Sequence, residues 1–355
     1  MSILSRHLLL QNLFYTCALF FSGMMIYLIV DFAGRINDMM DAGLGMREVL
    51  GYFLYKVPLI IAQILPAIFM LAVLIQIALM HRNNELVALE SSGVSFRRPA
   101  AFFLVYSLAA FALLLVFSET IGVRGEQMTR QIWNEEVRQR QTQPEELRDI
   151  WIKEEDLFIH VQRAWPEERK GRGITAYKQD GPGRIQEIIK AQEFEIQSGK
   201  WVLSKARLFK PHTLETQEVQ ALELDVRRDL GSFIMVDSEL PYQAWSFFTL
   251  AGLVNQLRES GSNVEKISTT LHSKIAYPFA LVVMTMLALA LFTRIKNIYA
   301  LVTLGLVIVF FYYTVYVFGV GYAEEGLVSP FLGAWTANLF FGILSLLQIF
   351  WVDRG

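Results

Sequence analysis

One cysteine, Cys17, occurs in 355 residues. No intramolecular disulfide can form, so the whole fold must be held by packing. Cys17 lies inside an apolar run and reads as a small apolar filler. The five histidines, His7, His81, His160, His212 and His272, are scattered, and no His/Cys/acid group has metal-ligand spacing. No nucleotide-binding phosphate loop is present. The nearest Gly-rich stretch, Gly181-Pro182-Gly183-Arg184, lacks the spacing and the Lys-Ser/Thr pair. No Gly-x-Ser-x-Gly elbow occurs. These absences argue against an enzyme and imply no cofactor. A formal net charge of −2 says little about partners and points to no nucleic acid.

What the chain has in abundance is apolar sequence: 54% of residues are hydrophobic and mean hydropathy is positive. The apolar residues form runs near Leu8–Phe32, Phe53–Met80, Pro99–Ile121, Ile275–Phe292, Ile298–Gly321 and Pro330–Trp351. Each is long enough to cross about 30 Å of hydrocarbon as a helix. The first run has no small-residue cleavage motif after it, only Asp31-Phe32-Ala33-Gly34-Arg35, and reads as an uncleaved helix. Between the third and fourth runs, about Gly122–Ser273, charged residues recur and exclude lipid. The expectation is a mixed membrane protein of six transmembrane α-helices (3+3) with an inserted domain. The boundaries expected are 1–143 for helices 1–3, with a cytoplasmic helix at 82–93, then 144–246 for the inserted domain and 247–355 for a connecting helix and helices 4–6.

Basic residues orient the bundle by the positive-inside rule. Arg6 and His7, then His81, Arg82, Arg97 and Arg98, then Arg294 and Lys296, and finally Arg354 alternate correctly to share the cytosolic side. The inserted domain lies opposite, with Glu324 and Glu325, and that side is the periplasm in a Gram-negative cell. Asp31, Lys56 and Glu119 sit near the outer ends of spans, where they are expected to reach water or headgroups. No charge pair is expected deep in a span.

The inserted domain reads as short strands: Ile150–Ile152, Leu157–Val161, Ile174–Lys178, Ile185–Lys190, Glu193–Ile196, Trp201–Phe209, Val219–Val226 and Phe233–Val236. Turns are expected at Asp180–Gly183 and Ser198-Gly199. This spacing fits an antiparallel sandwich, open barrel or jelly roll, with Trp201, Phe194 and Phe209 in its core. Val123–Gln143 continues the third span as a polar helix. Phe247–Leu257 is amphipathic, and either lies along a surface or serves as a plain connector.

The inner connection between the second and third runs reads Asn83-Asn84-Glu85-Leu86-Val87-Ala88-Leu89-Glu90-Ser91-Ser92-Gly93. Asn83 or Asn84 can cap a helix, Glu85 falls in its first turn, and Gly93 suits its exit. Leu86 and Leu89, three apart, share a face. The segment is either an ordinary capped turn or a knob that docks into a soluble partner.

The stretch Asn84–Gly93 resembles the coupling loop of the LptF/LptG permeases. Gly125-Glu126-Gln127-Met128-Thr129-Arg130 at the end of the third span, Ile174-Thr175-Ala176-Tyr177, Gln256–Gly261 and His272-Ser273-Lys274-Ile275-Ala276-Tyr277-Pro278 fit the same family, with a more LptG-like character. The likeness covers essentially the whole chain and implies a periplasmic jelly-roll-like domain in a bacterial inner-membrane protein. It implies a permease subunit of an ATP-binding-cassette transporter that extracts lipopolysaccharide and passes it to a periplasmic bridge. The implied partners are lipopolysaccharide, a cytosolic ATPase dimer (LptB-like), a homologous permease (LptF-like) and a bridge protein with a single membrane anchor (LptC-like). Glu85 stands at the family's coupling glutamate, which assigns ATPase contact to it and to Arg82, Asn84, Leu86, Leu89 and Glu90. The family often places lysines after the first span to meet lipid phosphates. Here the stretch is Arg35-Ile36-Asn37-Asp38-Met39-Met40-Asp41. Arg35, with Arg124, Arg130 and Arg138, is the expected substitute, since guanidinium donates paired hydrogen bonds to phosphate. Ordinary interfacial arginines would look the same. The alternative function is a membrane-anchored sensor or scaffold that transports nothing.

Overall fold

The structure is a computed structural model that describes residues 3–137, 147–154, 157–165, 168–179, 185–197, 200–224, 226, 242–259 and 264–352. The helices are α1 (Ile3–Asp41), α2 (Met46–Arg82), α3 (Glu85–Ser91), α4 (Arg97–Phe117), α5 (Val123–Gln131), α6 (Phe247–Glu259), α7 (Glu265–Arg294), α8 (Ile298–Glu324) and α9 (Pro330–Val352). Six long apolar helical segments can cross a membrane: α1, α2, α4 with its continuation to Asn134, α7, α8 and α9. We refer to them as spans 1 to 6. The chain divides into two compact units. One comprises Met1–Arg138, Tyr242–Ala251 and Val264–Gly355, the other Gln139–Pro241 and Gly252–Asn263.

In the helical unit, the ends follow local chemistry. Past Asp41, Gly43 takes φ +80, and the amides of Gly43 and Leu44 bond back to the carbonyls of Met40 and Met39. This is the glycine-terminated exit that an L side chain resists. Asn297 caps α8 by accepting from the amides of Tyr299 and Ala300 at 2.9 and 3.2 Å. Span 3 does not stop at Ile121. It passes through a π-helical turn, Ser118–Gly122, into α5, and through another, Ile132–Val137. Such bulges reset which residues face the neighbouring helices.

Span 4 is the axis of the unit and packs against spans 2, 3, 5 and 6. Of its central apolar stretch 78% is buried, against 6% in span 1. Side-chain amides tie span 6 to it: Asn338 Nδ2 donates to Ala276 O at 2.8 Å, and Gln348 Nε2 to Ala290 O at 2.7 Å. Tyr312 of span 5 donates to Asn338 Oδ1 at 2.7 Å. Lipid offers no hydrophobic drive for helix association, so such bonds and close packing have to supply it. Spans 5 and 6 accordingly meet at glycine, where a Cβ on Gly319 would lie 2.6 Å from Gly333 O.

The other unit contains β1 (Leu147–Glu154), β2 (Leu157–Trp165), β3 (Lys170–Gln179), β4 (Ile185–Gln197), β5 (Lys200–Lys210) and β6 (Glu215–Leu224). Each pairs antiparallel with the next, in the order β1-β2-β3-β4-β5-β6. The antiparallel sheet expected from sequence is present. Among the described residues it is a meander, without the crossing connections of a jelly roll. The two strands expected at Ile185–Lys190 and Glu193–Ile196 are one 13-residue strand, because Ala191-Gln192 carries no turn-forming residue. The turns at Asp180–Gly183 and Ser198-Gly199 and the strand at Phe233–Val236 lie outside the described residues.

Phe194 and Trp201 form the core as expected, stacked with ring centroids 4.7 Å apart. Gly171 sits against the Phe194 ring, where a Cβ would come within 2.4 Å. Phe209 is only half-buried, and the register explains why. Buried positions alternate up to one residue in each of β2 to β6, namely Gln162, Gly173, Gln192, Lys205 and Gln220, which the ladder skips while pairing residues on either side. There the alternation slips by one residue. In β5 the buried set runs Trp201, Leu203, then Ala206, so Phe209 falls off the core face. The slip requires a left-handed backbone in alternate strands, φ +71 at Gly173 and +53 at Lys205. A period-2 reading of sequence assumes that no such slip occurs.

Candidate functional site

On the cytosolic side, α3 is a seven-residue helix between spans 2 and 3. It exits as expected, with Gly93 at φ +81 and the Gly93 and Val94 amides bonded to the carbonyls of Glu90 and Leu89. Asn84 occupies the N-cap position with φ 59, but its side chain makes no capping bond. Its carbonyl accepts from the Ala88 amide instead, at 2.9 Å. Leu86 is buried and Leu89 packs on the same core cluster. The apolar edge of α3 is therefore turned toward the bundle, because a short helix must cover its own leucines. Arg82, Asn84, Val87 and Glu90 are exposed. Glu85 is half-exposed, with Oε2 3.6 Å from His7 Nε2 of span 1.

At the opposite end of the helices, charges that were expected to reach water find one another. Lys56 of span 2 is only 5% exposed, and its Nζ lies 2.6 Å from Asp31 Oδ2 of span 1. Arg35 Nε lies 3.0 Å from the other oxygen of Asp31. The Arg35 guanidinium also stands over the Trp133 ring, 4.6 Å from its centroid. Glu119, on the π-helical turn of span 3, pairs with Lys274 of span 4 at 2.7 Å. A charge half-removed from water is stable only with a partner, and opposite charges at the same end of neighbouring spans supply it. Lys56, Lys274 and Trp133 were not among the expected site residues. The signal for two of them was available: Asp31 lies at the outer end of the first apolar run and Lys56 in the outer end of the second, as Glu119 and Lys274 lie at the outer ends of the third and fourth.

Of the arginines assigned to phosphate, Arg130 is held by Glu126 at 2.9 Å, and Arg124 is exposed. Arg138 lies outside the described residues. A cavity of about 220 Å³ opens between spans 2, 3, 4 and 5, lined by Gln63, Glu119, Glu126, Ser273, Lys274 and Tyr277 among others. Among the described residues no group of histidine, cysteine and acid could hold a metal ion.

The family model described as lipopolysaccharide export system permease LptF/LptG matches residues 6–351. The chain is similar to the lipopolysaccharide export system permease protein LptG of Escherichia coli strain K12, 24% identical over 280 residues. That alignment covers 75% of this chain and 76% of the relative. The protein of the same name from Escherichia coli O6:H1 aligns with the same identity and coverage.

Proposed function

Because this chain belongs to the LptF/LptG family of lipopolysaccharide export permeases, we propose a division of labour between the two ends of its helices. The chain is a permease subunit of the ATP-driven lipopolysaccharide exporter, a multi-pass inner-membrane protein with a periplasmic β-sheet domain and no catalytic set of its own. It works with the other components of that transport machinery. The observation that carries the proposal is topological. One crossing, span 3, separates α3 from the β strands, so a cytosolic motor can act on one while lipid leaves by the other.

In this reading the motor is an LptB-like ATPase dimer. It engages the outward side of α3 through Glu85, Glu90, Arg82 and Asn84, while Leu86 and Leu89 anchor the helix to the bundle. A second, LptF-like permease completes the cavity, and an LptC-like protein with one membrane anchor receives the lipid. Extracting an acylated amphiphile costs about 0.8 kcal/mol per methylene exposed to water, which an apolar cavity wall avoids. At the rim, Arg35, Arg124 and Arg130 offer guanidinium groups to lipid phosphates, with Arg138 as a fourth.

The test is co-purification from native membranes with Glu85→Lys in place. Reversing the charge is expected to lower the recovered ATPase by about tenfold, a loss of about 1.4 kcal/mol at the contact. Full recovery of the ATPase with normal lipid release would remove Glu85 from the contact. Photo-crosslinking from Arg35 and from Trp201 tests the path, with lipopolysaccharide adducts at Trp201 expected only when ATP is supplied. A chain that recovers neither an ATPase nor lipid adducts would support the sensor or scaffold instead.

A further inference from the structure

Phe292 closes the cytosolic end of span 4 and is only 2% exposed. Two rings grip it. His81, next to last in span 2, meets it edge-on with centroids 5.7 Å apart. Phe96, immediately before α4, lies 5.4 Å away. These residues are the two flanks of the coupling segment, and α3 hangs between them. Lys296 covers the same ring, with Nζ 3.7 Å from its centroid. Any displacement of α3 must therefore be felt at Phe292 from both sides.

Span 4 is unusually able to pass such a displacement on. It is enclosed by four other spans and cross-bonded to span 6 at Ala276 and Ala290. It cannot yield into lipid as span 1 can, and close-packed interiors transmit strain rather than absorb it. At its outer end Lys274 Nζ meets Glu119 Oε1 at 2.7 Å. The other oxygen of Glu119 accepts the Phe247 amide at 2.6 Å, which ties in the first turn of α6. Glu119 and Lys274 also line the cavity between the spans.

We infer that span 4 is the rod that carries coupling-helix motion across this subunit, with Phe292 receiving it and the Lys274–Glu119 pair delivering it to the cavity wall. The inference rests on the permease reading and adds to it a path for the force. None of the three residues is assigned to lipid or nucleotide. They are positioning residues, so they should govern how much lipid leaves per ATP rather than how fast ATP is hydrolysed.

The experiment uses the complex purified with its native partners and reconstituted in lipopolysaccharide-containing vesicles. ATP hydrolysis and lipid release are both measured. Phe292→Leu keeps an apolar side chain and removes both ring contacts. The double variant Lys274→Met/Glu119→Gln cuts the outer link without leaving an unpaired charge, and the glutamine can still accept from Phe247. Each is expected to keep hydrolysis within about twofold of wild type and to lower lipid released per ATP about fivefold. A merely structural role would change recovery or melting of the complex and leave that ratio unmoved. If either variant assembles and releases wild-type amounts per ATP, the rod is overturned. Should Phe292→Leu fail to assemble, the outer double variant decides alone. A wild-type complex that hydrolyses ATP without releasing lipid is a separate failure and removes the permease reading itself.

Discussion

Spans 1 and 4 have similar apolar content and opposite situations. Span 4 buries 78% of its apolar stretch and span 1 buries 6%. Span 4 is held continuously, by packing on four neighbours. Span 1 is held on one side, by packing on span 2: Gln76 donates to Leu8 O at 3.0 Å near its inner end, and Asp31 pairs with Lys56 near its outer end. Phe14, Phe21, Met25, Ile26 and Ile29 between them are exposed. In lipid, exposure of apolar surface is no penalty. A span packed on one side can therefore receive a partner on the other, while a span enclosed by four neighbours can act only as a rigid body. Hydropathy alone does not distinguish the two roles.

The sharpest way to break this comparison is at the outer point of span 1. Asp31→Ala strands Lys56 in a buried site, and removing one member of such a pair costs about 3–5 kcal/mol. A large fall in melting temperature is expected, with most of it restored in Asp31→Ala/Lys56→Met. If the single variant melts normally, span 1 is held by something other than that pair.

Next in size is a matched pair of enlargements. Ala280 of span 4 is fully buried, and Ala18 of span 1 is exposed. Ala280→Leu should destabilise by about 1–3 kcal/mol through overpacking. Ala18→Leu should stay within about 0.5 kcal/mol. Equal effects on melting in nanodiscs would erase the contrast. A smaller effect is expected from Tyr312→Phe, which deletes the bond to Asn338 that helps fix span 6 against span 4. Hydrogen bonds between membrane helices average about 0.6 kcal/mol. A loss well above that would mean the Tyr312–Asn338–Ala276 chain acts as one unit.

The smallest expected effect concerns Lys296, which stands on the Phe292 ring. Burial pushes its ammonium group below the ordinary lysine value of 10.5, and Glu90 pulls it back up. The unfolded chain then binds more protons than the folded one between the lowered value and 10.5, so stability should rise slightly as pH climbs through that interval. Lys296→Met should flatten the rise. An unchanged slope in the variant would assign it to other groups.

Much of this was legible in the sequence because the bilayer imposes it. A run of some twenty apolar residues has few structures open to it in lipid, and the spans, the 3+3 layout and the basic cytosolic loops all follow. So does the short helix at Glu85, from its acid and its Gly93 exit. The points where reading failed have a shared cause. Phe209 left the core because the buried alternation slips at one position in each of five neighbouring strands, which no single strand announces. The leucines of α3 turned inward because a bundle surface was there to cover them. Asp31, Lys56 and Glu119 were seen one at a time as groups bound for water, yet each is stabilised by a charge from a different span, Glu119 by Lys274.

The sequence by itself determined how often the chain crosses the membrane, which loops stay with the cytosol and where the sheet is inserted, because those depend on hydrophobicity and charge counted along the chain. Only the tertiary structure decided which span becomes the axis, which ring receives the coupling helix and which acid answers which lysine. Those are matters of distance between residues far apart in sequence, and packing fixes such distances through the neighbours each helix acquires rather than through its own composition.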